Sequence, residues 1–405
     1  MSDASSTPMR IAVPVLGVGQ VLVWGSSYYL PAVLAKPTAD ATGWPLSWVI
    51  AGLSLGLLVS GIVSPKVGVV IERRGGRPVL TASAFLMGVG LFGLAVAPNL
   101  PIYILAWLVL GAAMGCGLYD PAFATLGRLY GGEARAAITS LTLIGGFAST
   151  VCWPLSAFLL ARFGWRGTCI IYAALNLLLV LPLYRLGLRA ESPKPAAIAR
   201  RGAASRGHSA TAREQAYVPV YVMVALSMTF ASIIASLMSV HLLTLLQQSG
   251  MALGTAVAMG AIVGPCQVGA RLIDLMAGRR VHPIWETILS SALVVLGLGL
   301  LLFLRREAAL PGLILYGSGI GLRSIVRGTL PLALFGPEGY ASLMGRLALP
   351  MLIGQAAAPS AGAVLLARFG AAGVLIALLV LAMASLVSSV MILPLLGRLG
   401  CEHSQ

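Results

Sequence analysis

The chain has 405 residues, of which 58% are hydrophobic and 10% are charged, and its formal net charge at pH 7 is +15. Soluble domains carry roughly 25% charged residues, and a soluble chain this apolar would expose more hydrophobic surface than water tolerates; the composition therefore excludes an ordinary soluble domain and indicates a membrane protein. The positive charge does not indicate nucleic-acid binding, because the basic residues form no dense stretch with interleaved aromatic residues.

Apolar runs bounded by charged residues, Pro or Gly divide the chain into segments of the length that crosses a bilayer, about 20 residues of helix. No alternating pattern points to a β-barrel, so helices are expected to satisfy the backbone hydrogen bonds. The sequence predicts an all-α membrane protein with twelve transmembrane helices, over residues 11–35, 46–70, 78–97, 101–128, 136–161, 167–187, 217–245, 252–276, 283–304, 309–334, 342–367 and 371–397.

The distribution of basic residues predicts how these helices are oriented. With the N-terminus in the cytoplasm, 18 of the 27 Lys and Arg residues fall in cytoplasmic segments and six fall in outer segments. Cytoplasmic loops are enriched in Lys and Arg, so both termini are expected in the cytoplasm, in a multi-pass protein of the cell inner membrane. The polar stretch 188–216 is predicted to be a cytoplasmic linker between two six-helix bundles, 1–187 and 217–405.

Short motifs recur between the two halves at nearly one spacing and at the same places relative to the predicted helices. They indicate two pseudo-symmetric bundles, an arrangement typical of transporters that bind their solute between parallel repeats. At a shift of 202 residues, Glu72, Gly76 and Arg77 align with Asp274, Gly278 and Arg279, and Gly115 and Gly117 align with Gly317 and Gly319; at a shift of 206, Leu159–Gly164 recurs as Leu365–Gly370.

The loop between the second and third predicted helices reads Gly-Val-Val-Ile-Glu-Arg-Arg-Gly-Gly-Arg over residues 68–77. It resembles the loop motif of the major facilitator superfamily, with Glu in the usual Asp position. The resemblance implies the major facilitator fold and a gating role, in which the acidic residue pairs with basic groups and a helix N-terminus in one state. The expected gating residues are Gly68, Glu72, Arg73, Gly76 and Arg77, with Asp274 and Arg279 in the second half.

A narrower resemblance is to the monocarboxylate porter and oxalate/formate antiporter branch. Two positions depart from that branch: Ala32 stands where animal monocarboxylate porters commonly have Lys, and Asp120 stands where the branch usually has Asn. The stretches that carry the resemblance are Gly25–Pro31, Ser47–Val49, Asp120–Ala122, Gly127–Tyr130 and Phe163–Gly167.

Three arginines, Arg271, Arg323 and Arg327, lie inside predicted helices, where a charge costs ~2.5–3.5 kcal/mol on insertion scales. Arg323 and Arg327 share one helix face, at depths of about 18 and 24 Å counted from Pro311. Arginine presents a fixed fork of donors that matches a carboxylate, so both are predicted to bind an anion. The alternatives are a structural pair with Asp120 and, for Arg327, snorkelling to the membrane surface.

Asp120 and Arg271 each allow two interpretations. Asp120 is the candidate for proton coupling, because an isolated buried carboxylate can load and release a proton; alternatively it is a permanent partner of Arg128 or of an arginine in the tenth helix. Arg271 resembles the arginine that binds the substrate carboxylate in monocarboxylate porters, or it serves the gate. Gln267 lies one turn earlier on the same face and is counted with the binding residues.

Aromatic residues of the first half are the remaining candidates for the lining of a binding cavity, with packing in the core or against lipid as the alternative. The aromatic candidates are Trp24, Tyr28, Tyr29, Tyr119 and Trp153.

The five cysteines show no metal-ligand spacing, and the sequence contains no nucleotide-binding motif or catalytic set. Neither a cofactor nor an enzymatic activity is therefore expected.

Together these features predict a secondary transporter that moves a small anion, a monocarboxylate or another oxyanion, by alternating access. Its partners are expected to be that anion, protons or a counter-anion, and the lipid bilayer, with the chain acting as a monomer. A multidrug or toxic-compound exporter of the same fold is the first alternative. A membrane sensor that binds a ligand without transporting it is an alternative of another class.

Overall fold

The computed structural model describes residues 7–189, 209–277 and 281–401, which form helices joined by short turns. In this part of the chain nine helical stretches are long and apolar enough to cross a membrane. The stretch Leu100–Gly187 turns twice, at Gly131–Glu133 and at Gly164, and the stretch Tyr340–Gly397 turns once, at Gly370. These three turns divide the nine stretches into twelve transmembrane helices, which confirms the predicted fold class.

The helices are numbered α1 to α12 in chain order. Four of them are interrupted by a short break, and the other eight run without one. The bounds are Met9–Gly25 and Leu30–Thr42 for α1, Leu46–Arg74 for α2, Gly76–Val96 for α3, Leu100–Gly117 and Tyr119–Tyr130 for α4, Ala134–Gly145 and 148–163 for α5, 165–187 for α6, Ser209–Gln248 for α7, Leu253–Ala261 and Val263–Ala277 for α8, Pro283–Phe303 for α9, Ala309–Phe335 for α10, 340–369 for α11 and 371–401 for α12.

The first helix is longer than the apolar run that predicted it. It breaks over residues 26–29, because Pro31, near the start of its second segment, has no N–H for the carbonyl one turn earlier. It then continues past the predicted end at residue 35 to Thr42, where Gly43 terminates it at φ +74°. The charged residues that ended the apolar run, Lys36 and Asp40, form an ion pair one turn apart on the helix surface, at 2.9 Å.

The repeated hexapeptides Leu159–Gly164 and Leu365–Gly370 end in the same backbone corner. The φ angle is +66° at Gly164 and +64° at Gly370, a left-handed conformation that side chains with a Cβ rarely adopt. Each glycine ends one helix and starts the next without a loop, joining α5 to α6 and α11 to α12. The sequence repeat therefore encodes the same corner twice.

The fourth helix of each half packs closely through a glycine at equivalent positions. A Cβ added to Gly115 in α4 would lie 2.9 Å from the carbonyl oxygen of Ser60 in α2. A Cβ added to Gly317 in α10 would lie at the same distance from the carbonyl oxygen of Val263 in α8. Glycine is required at both positions for the backbones to approach this closely.

Hydrogen bonds from the third helix of each half repeat the same arrangement. The Ser83 hydroxyl of α3 donates to the carbonyl oxygen of Ala113 in α4, and the Ser290 hydroxyl of α9 donates to that of Gly319 in α10, both at 2.8 Å. In each half, then, the fourth helix is fixed against the second by a glycine and against the third by a serine.

The contacts of the chain divide it into two compact units. Unit 1 comprises Met1–Pro193 and Leu334–Ala356, and unit 2 comprises Lys194–Ala333 and Ala357–Gln405. The first half of α11 accordingly belongs to unit 1 and its second half to unit 2. Of the predicted linker 188–216, residues 190–208 lie outside the described residues, and α7 begins at Ser209.

Candidate functional site

Arg323 of α10 lies in unit 2 among serine hydroxyls from three other helices. Its Nη1 donates to the hydroxyl oxygen of Ser227 in α7 at 3.1 Å. Its Nη2 donates to Ser291 in α9 at 2.6 Å and to Ser385 in α12 at 3.1 Å. A fourth hydroxyl, that of Ser389 one turn further along α12, lies 2.7 Å from the Ser227 hydroxyl. We call these five residues the arginine–serine cluster.

The serines of the arginine–serine cluster are fully buried, whereas Arg323 is partly buried. Arg323 lines a recess with about 230 Å³ of empty space, a figure that includes space open to solvent. Apolar side chains form most of its wall, together with two serines, so one charged fork faces a mainly apolar space. The lining residues are Ala231, Ile234, Ser291, Val294, Ile320, Arg323, Ala382 and Ser385.

Arg271 of α8 is also in unit 2 and is buried, with 5% of its surface exposed. Its Nε donates to the Ser324 hydroxyl of α10 at 2.9 Å and makes a longer contact with the carbonyl oxygen of Gly321, and its Nη2 donates to Gln267 at 3.3 Å. Gln267 and Arg271, which the sequence places on one helix face, are thus hydrogen-bonded to each other. The Arg271 side chain therefore ties α8 to α10 at Ser324, the residue that follows Arg323.

Asp120 lies in unit 1, in the first turn of the second segment of α4, and only 6% of it is exposed. A carboxylate in this position interacts favourably with the helix dipole. It is close enough to Tyr340 of α11 for an electrostatic interaction, and both residues have further partners. Arg327 follows Arg323 by one turn of α10, is partly buried and has interaction partners of its own.

The five aromatic residues singled out in the sequence form one cluster in unit 1. The ring of Trp24 lies 5.3 Å from that of Tyr28, 5.9 Å from that of Tyr29 and 5.1 Å from that of Tyr119, and Tyr29 lies 6.0 Å from Trp153. These separations are typical of interacting aromatic pairs. Trp153 is at the edge of the cluster, 46% exposed.

Two hydrogen bonds through Gln20 link the aromatic cluster to the backbone of α4. The indole N–H of Trp24 donates to Gln20 at 3.0 Å, and the Gln20 amide donates to the carbonyl oxygen of Gly117 at 2.6 Å. That carbonyl is at the end of the first segment of α4, where helical partners are missing. Gln20 is completely buried and thereby joins α1 to the break in α4.

The predicted gating motif lies at the end of α2 and the start of α3. A Cβ added to Gly68 would lie 3.2 Å from the Gly345 Cα of α11, so the two helices approach closely at this point in unit 1. The guanidinium of Arg128 in α4 donates to the carbonyl oxygen of Glu72. Arg73 is exposed.

The rest of the motif follows a tight turn at Gly75, whose φ is +85°. Gly76 lies against Thr125 of α4, and Arg77 is half-buried at the start of α3. In the second half, Asp274 lies near the end of α8 and is half-buried, whereas Arg279 lies outside the described residues. No group of three or more His, Cys, Asp or Glu side chains in the described part of the chain is placed to hold a metal ion.

Sequence reasoning missed Phe123, whose ring stacks on Tyr119 at 5.2 Å, and all four serines of the arginine–serine cluster. The four-residue spacing of Tyr119 and Phe123 was a usable signal, since such residues share a helix face. Ser385 and Ser389 have the same spacing. Ser227 and Ser291 gave no local signal, because serine is common where transmembrane helices pack.

The chain matches the model of the Major Facilitator Superfamily over residues 16–330, most of its length. The chain belongs to this superfamily. It is accordingly a multi-pass membrane protein and a transporter. The close contact at Gly115 recurs at Gly317, and the corner at Gly164 recurs at Gly370, so the two halves of this chain share these backbone features.

Among curated relatives, Monocarboxylate transporter 11 of Mus musculus is 35% identical over 135 residues, which cover 32% of this chain and 29% of that protein. The match thus spans less than a third of the relative's length. The solved structure of the proton:xylose symporter XylE bound to 6-bromo-6-deoxy-D-glucose superposes with a TM-score of 0.74 at 13% identity, over 95% of both chains. The human organic anion transporter MFSD10 superposes with a TM-score of 0.69 at 17% identity, over 94% of this chain and 99% of that chain. These two likenesses show the fold.

Proposed function

We propose that the protein is a secondary transporter of a small anion, a monocarboxylate or another oxyanion, and that it works by alternating access. The observation that carries the proposal is Arg323: in the described part of the chain its hydrogen-bond partners are neutral serine hydroxyls. Its positive charge is therefore solvated but not cancelled. A cation kept in a transmembrane helix only for stability is expected to pair with a carboxylate.

The charge and the lining of the recess support an anionic solute. A guanidinium facing an apolar space binds an anion strongly, because the attraction is little screened there. The fold does not decide the solute: XylE is named a proton:xylose symporter, and xylose is uncharged. The names of two other similar proteins, a monocarboxylate transporter and an organic anion transporter, agree with the charge of Arg323.

In this proposal the bundles 1–187 and 217–405, joined by the segment 188–216, expose the solute to each side of the inner membrane in turn, with both termini in the cytoplasm and the chain acting as a monomer. Arg323 binds the solute in the recess, whereas Arg271, Arg327 and Gln267, which are not part of its lining, bind the solute at another stage of the transport cycle. The aromatic residues at 24, 28, 29, 119 and 153 line the binding cavity. The motif residues around Gly68 and Glu72 close the gate, with Asp274 and Arg279 as their counterparts.

Coupling is proposed to use protons through Asp120, or exchange against a second anion. Asp120 is buried in α4. Arg128 of the same helix ties α4 to α2 through its hydrogen bond to the Glu72 carbonyl. In proteoliposomes without a counter-anion inside, an inward proton gradient should accelerate anion uptake by the wild type but not by Asp120→Asn. If the wild type ignores the gradient and transports only with an internal anion, exchange replaces proton coupling.

The anion proposal is tested by counterflow of a labelled monocarboxylate in proteoliposomes. Arg323→Ala should lower the rate by about 100-fold, because one charged hydrogen-bonded contact contributes roughly 1.5–3 kcal/mol. Arg323→Lys should keep part of the activity, since it retains the charge without the planar fork. Arg368→Ala removes an exposed arginine of α11 and should transport like the wild type. Wild-type transport by folded Arg323→Ala would contradict the proposal.

The exporter alternative is favoured by the aromatic cluster, because stacked rings suit apolar aromatic compounds. It predicts that Trp24→Ala abolishes export of a hydrophobic dye, whereas Arg323→Ala leaves that export unchanged. The anion proposal predicts the opposite ranking with a monocarboxylate as solute. The same two variants, assayed with both solutes, separate the two functions.

A further inference from the structure

The hydroxyl protons of the arginine–serine cluster all point away from Arg323. Ser291 donates to the carbonyl oxygen of Thr287 at 3.0 Å, and Ser385 donates to that of Ser227 at 3.1 Å. Ser389 donates to the Ser385 carbonyl oxygen at 2.8 Å. Since the Ser389 proton is used in this way, the Ser227 hydroxyl donates to Ser389 at 2.7 Å.

This directionality gives the guanidinium a shell of oxygen lone pairs that carries no net charge. A hydroxyl donates one proton and can accept two hydrogen bonds, so each serine passes its proton on and accepts from Arg323. A carboxylate at the same place would accept equally well but would cancel the charge. The cluster therefore orients the guanidinium as a counter-ion would, and it leaves a full positive charge at the recess.

We propose, resting on the anion transport proposed above, that Ser227, Ser291 and Ser385 are positioning residues that keep Arg323 oriented and uncancelled. The site they maintain takes a carboxylate with one negative charge and a short apolar substituent. Dicarboxylates and doubly charged inorganic anions are rejected.

Selection for one charge follows from the balance of charge in the recess. Arg323 is the one charged residue among the described residues that line it. A monoanion is neutralised by Arg323, whereas a dianion keeps one charge in a space of low polarity, where an uncompensated charge is strongly disfavoured. Arg271 is not part of this lining, and its guanidinium is already bonded to Gln267 and Ser324.

Selection for a short apolar substituent follows from the apolar part of the recess wall. Alanine and β-branched side chains at Ala231, Ile234, Val294, Ile320 and Ala382 form it. They offer no hydrogen bonds from their side chains to a hydroxylated solute, which would have to lose its water without replacement. A methyl or ethyl group that packs against this wall gains by its own burial.

The first experiment uses the wild-type protein, so it does not depend on the folding of any variant. Labelled propionate is exchanged in proteoliposomes, and unlabelled butyrate, glycerate, succinate and sulfate compete at a pH at which both succinate carboxyls are ionised. Butyrate should compete at least about tenfold better than succinate, sulfate or glycerate, the equivalent of ~1.4 kcal/mol. Equal competition by succinate or sulfate would overturn the selection for one charge, and equal competition by glycerate would overturn the apolar wall.

The second experiment places a carboxylate within the shell. Ser291→Asp supplies Arg323 with an internal counter-ion and should lower propionate exchange about 100-fold, whereas Ser291→Asn, of the same size and uncharged, should stay within about tenfold of the wild type. Both variants are compared in thermal unfolding, where Ser291→Asp should be no less stable than Ser291→Asn. Equal exchange by the two variants would overturn the proposal.

The third experiment separates positioning from general stability. Ser385→Ala should raise KM about tenfold with little change in the maximal rate, and Ser385→Thr, which restores the hydroxyl, should recover most of the loss. Equal KM values for Ser385→Ala and the wild type would contradict the positioning role. If the wild type exchanges no anion of any kind, the proposed function itself fails; if it exchanges anions and the serine variants behave like the wild type, this inference alone fails.

Discussion

In unit 1, six aromatic rings, including those of Trp24 and Tyr119, form one cluster. Gln20 accepts a hydrogen bond from Trp24 of this cluster and donates one to a backbone carbonyl. In unit 2, the corresponding interior holds a guanidinium surrounded by serine hydroxyls. The scaffolds beneath these two interiors are alike, with the same glycine contact and the same corner in each half. The two halves thus share these backbone contacts and differ in their interior side chains, which separates residues that hold the fold from residues that we propose to handle the solute.

The largest effect on stability is expected from the glycines that hold the fourth helix of each half. Gly115→Ala and Gly317→Ala each place a methyl group 2.9 Å from a backbone oxygen, and overpacking of this kind costs about 1–3 kcal/mol. Thermal unfolding in detergent should show similar losses for both. Gly299→Ala is the control, since a Cβ there meets no atom within 4 Å. A loss in one half only would break the claim of a common scaffold.

The next effect concerns the polar support of the aromatic cluster. Gln20→Leu removes the partner of the Trp24 indole and of the Gly117 carbonyl, and an unsatisfied buried group costs about 1–3 kcal/mol; partial relaxation in α1 should keep the loss near the lower end. Gln247→Leu, at an exposed position of α7, is the control in the same unfolding assay. Unchanged stability together with altered solute selectivity would move Gln20 from the fold to the binding site.

A smaller effect is expected at the two corners. Gly164→Ala and Gly370→Ala force a residue with a Cβ into φ near +65° with ψ near 180°, at about 1 kcal/mol each, the lower end for such strain. Gly132→Ala is the control, because neither a positive φ nor a close neighbour restricts it. Equal unfolding temperatures for the control and either corner variant would show that the corner relaxes and does not constrain the chain.

The smallest effect on stability is expected from Arg323→Met, although it should abolish anion transport. Replacing a buried charge with an apolar side chain of similar length is often neutral or stabilising, and the serines can still bond to one another. Unfolding temperature and propionate exchange are measured on one preparation. A large loss of stability would assign Arg323 to the fold and remove the contrast with unit 1.

Much of the fold could be predicted because lipid imposes a simple rule: apolar runs of sufficient length become helices. The repeat at Gly164 and Gly370 could also be read from identical sequence. The five aromatic candidates lie together because four of them lie in or next to the breaks in α1 and α4.

The chemistry of unit 2 could be predicted only in part. The depth of Arg323 follows from counting residues along one helix, so its burial within the span was accessible. Its partners come from three helices whose serines are between 32 and 96 residues away in the chain, and a single sequence carries no signal that joins them. The continuation of α1 to Thr42 was missed for a different reason, since a helix does not require an apolar surface once it leaves the hydrocarbon.

The corners at Gly164 and Gly370 have a mechanical consequence. Because one residue connects the two helices, they cannot shift or rotate independently of each other. We therefore expect the pairs α5–α6 and α11–α12 each to move as a rigid unit. We then expect bending during solute transfer within helices, at the breaks over residues 26–29, at Leu118, over residues 146–147 and at Ile262. The distance between two spin labels placed on either side of a corner should stay the same when solute is added, whereas the distance across one of these breaks should change.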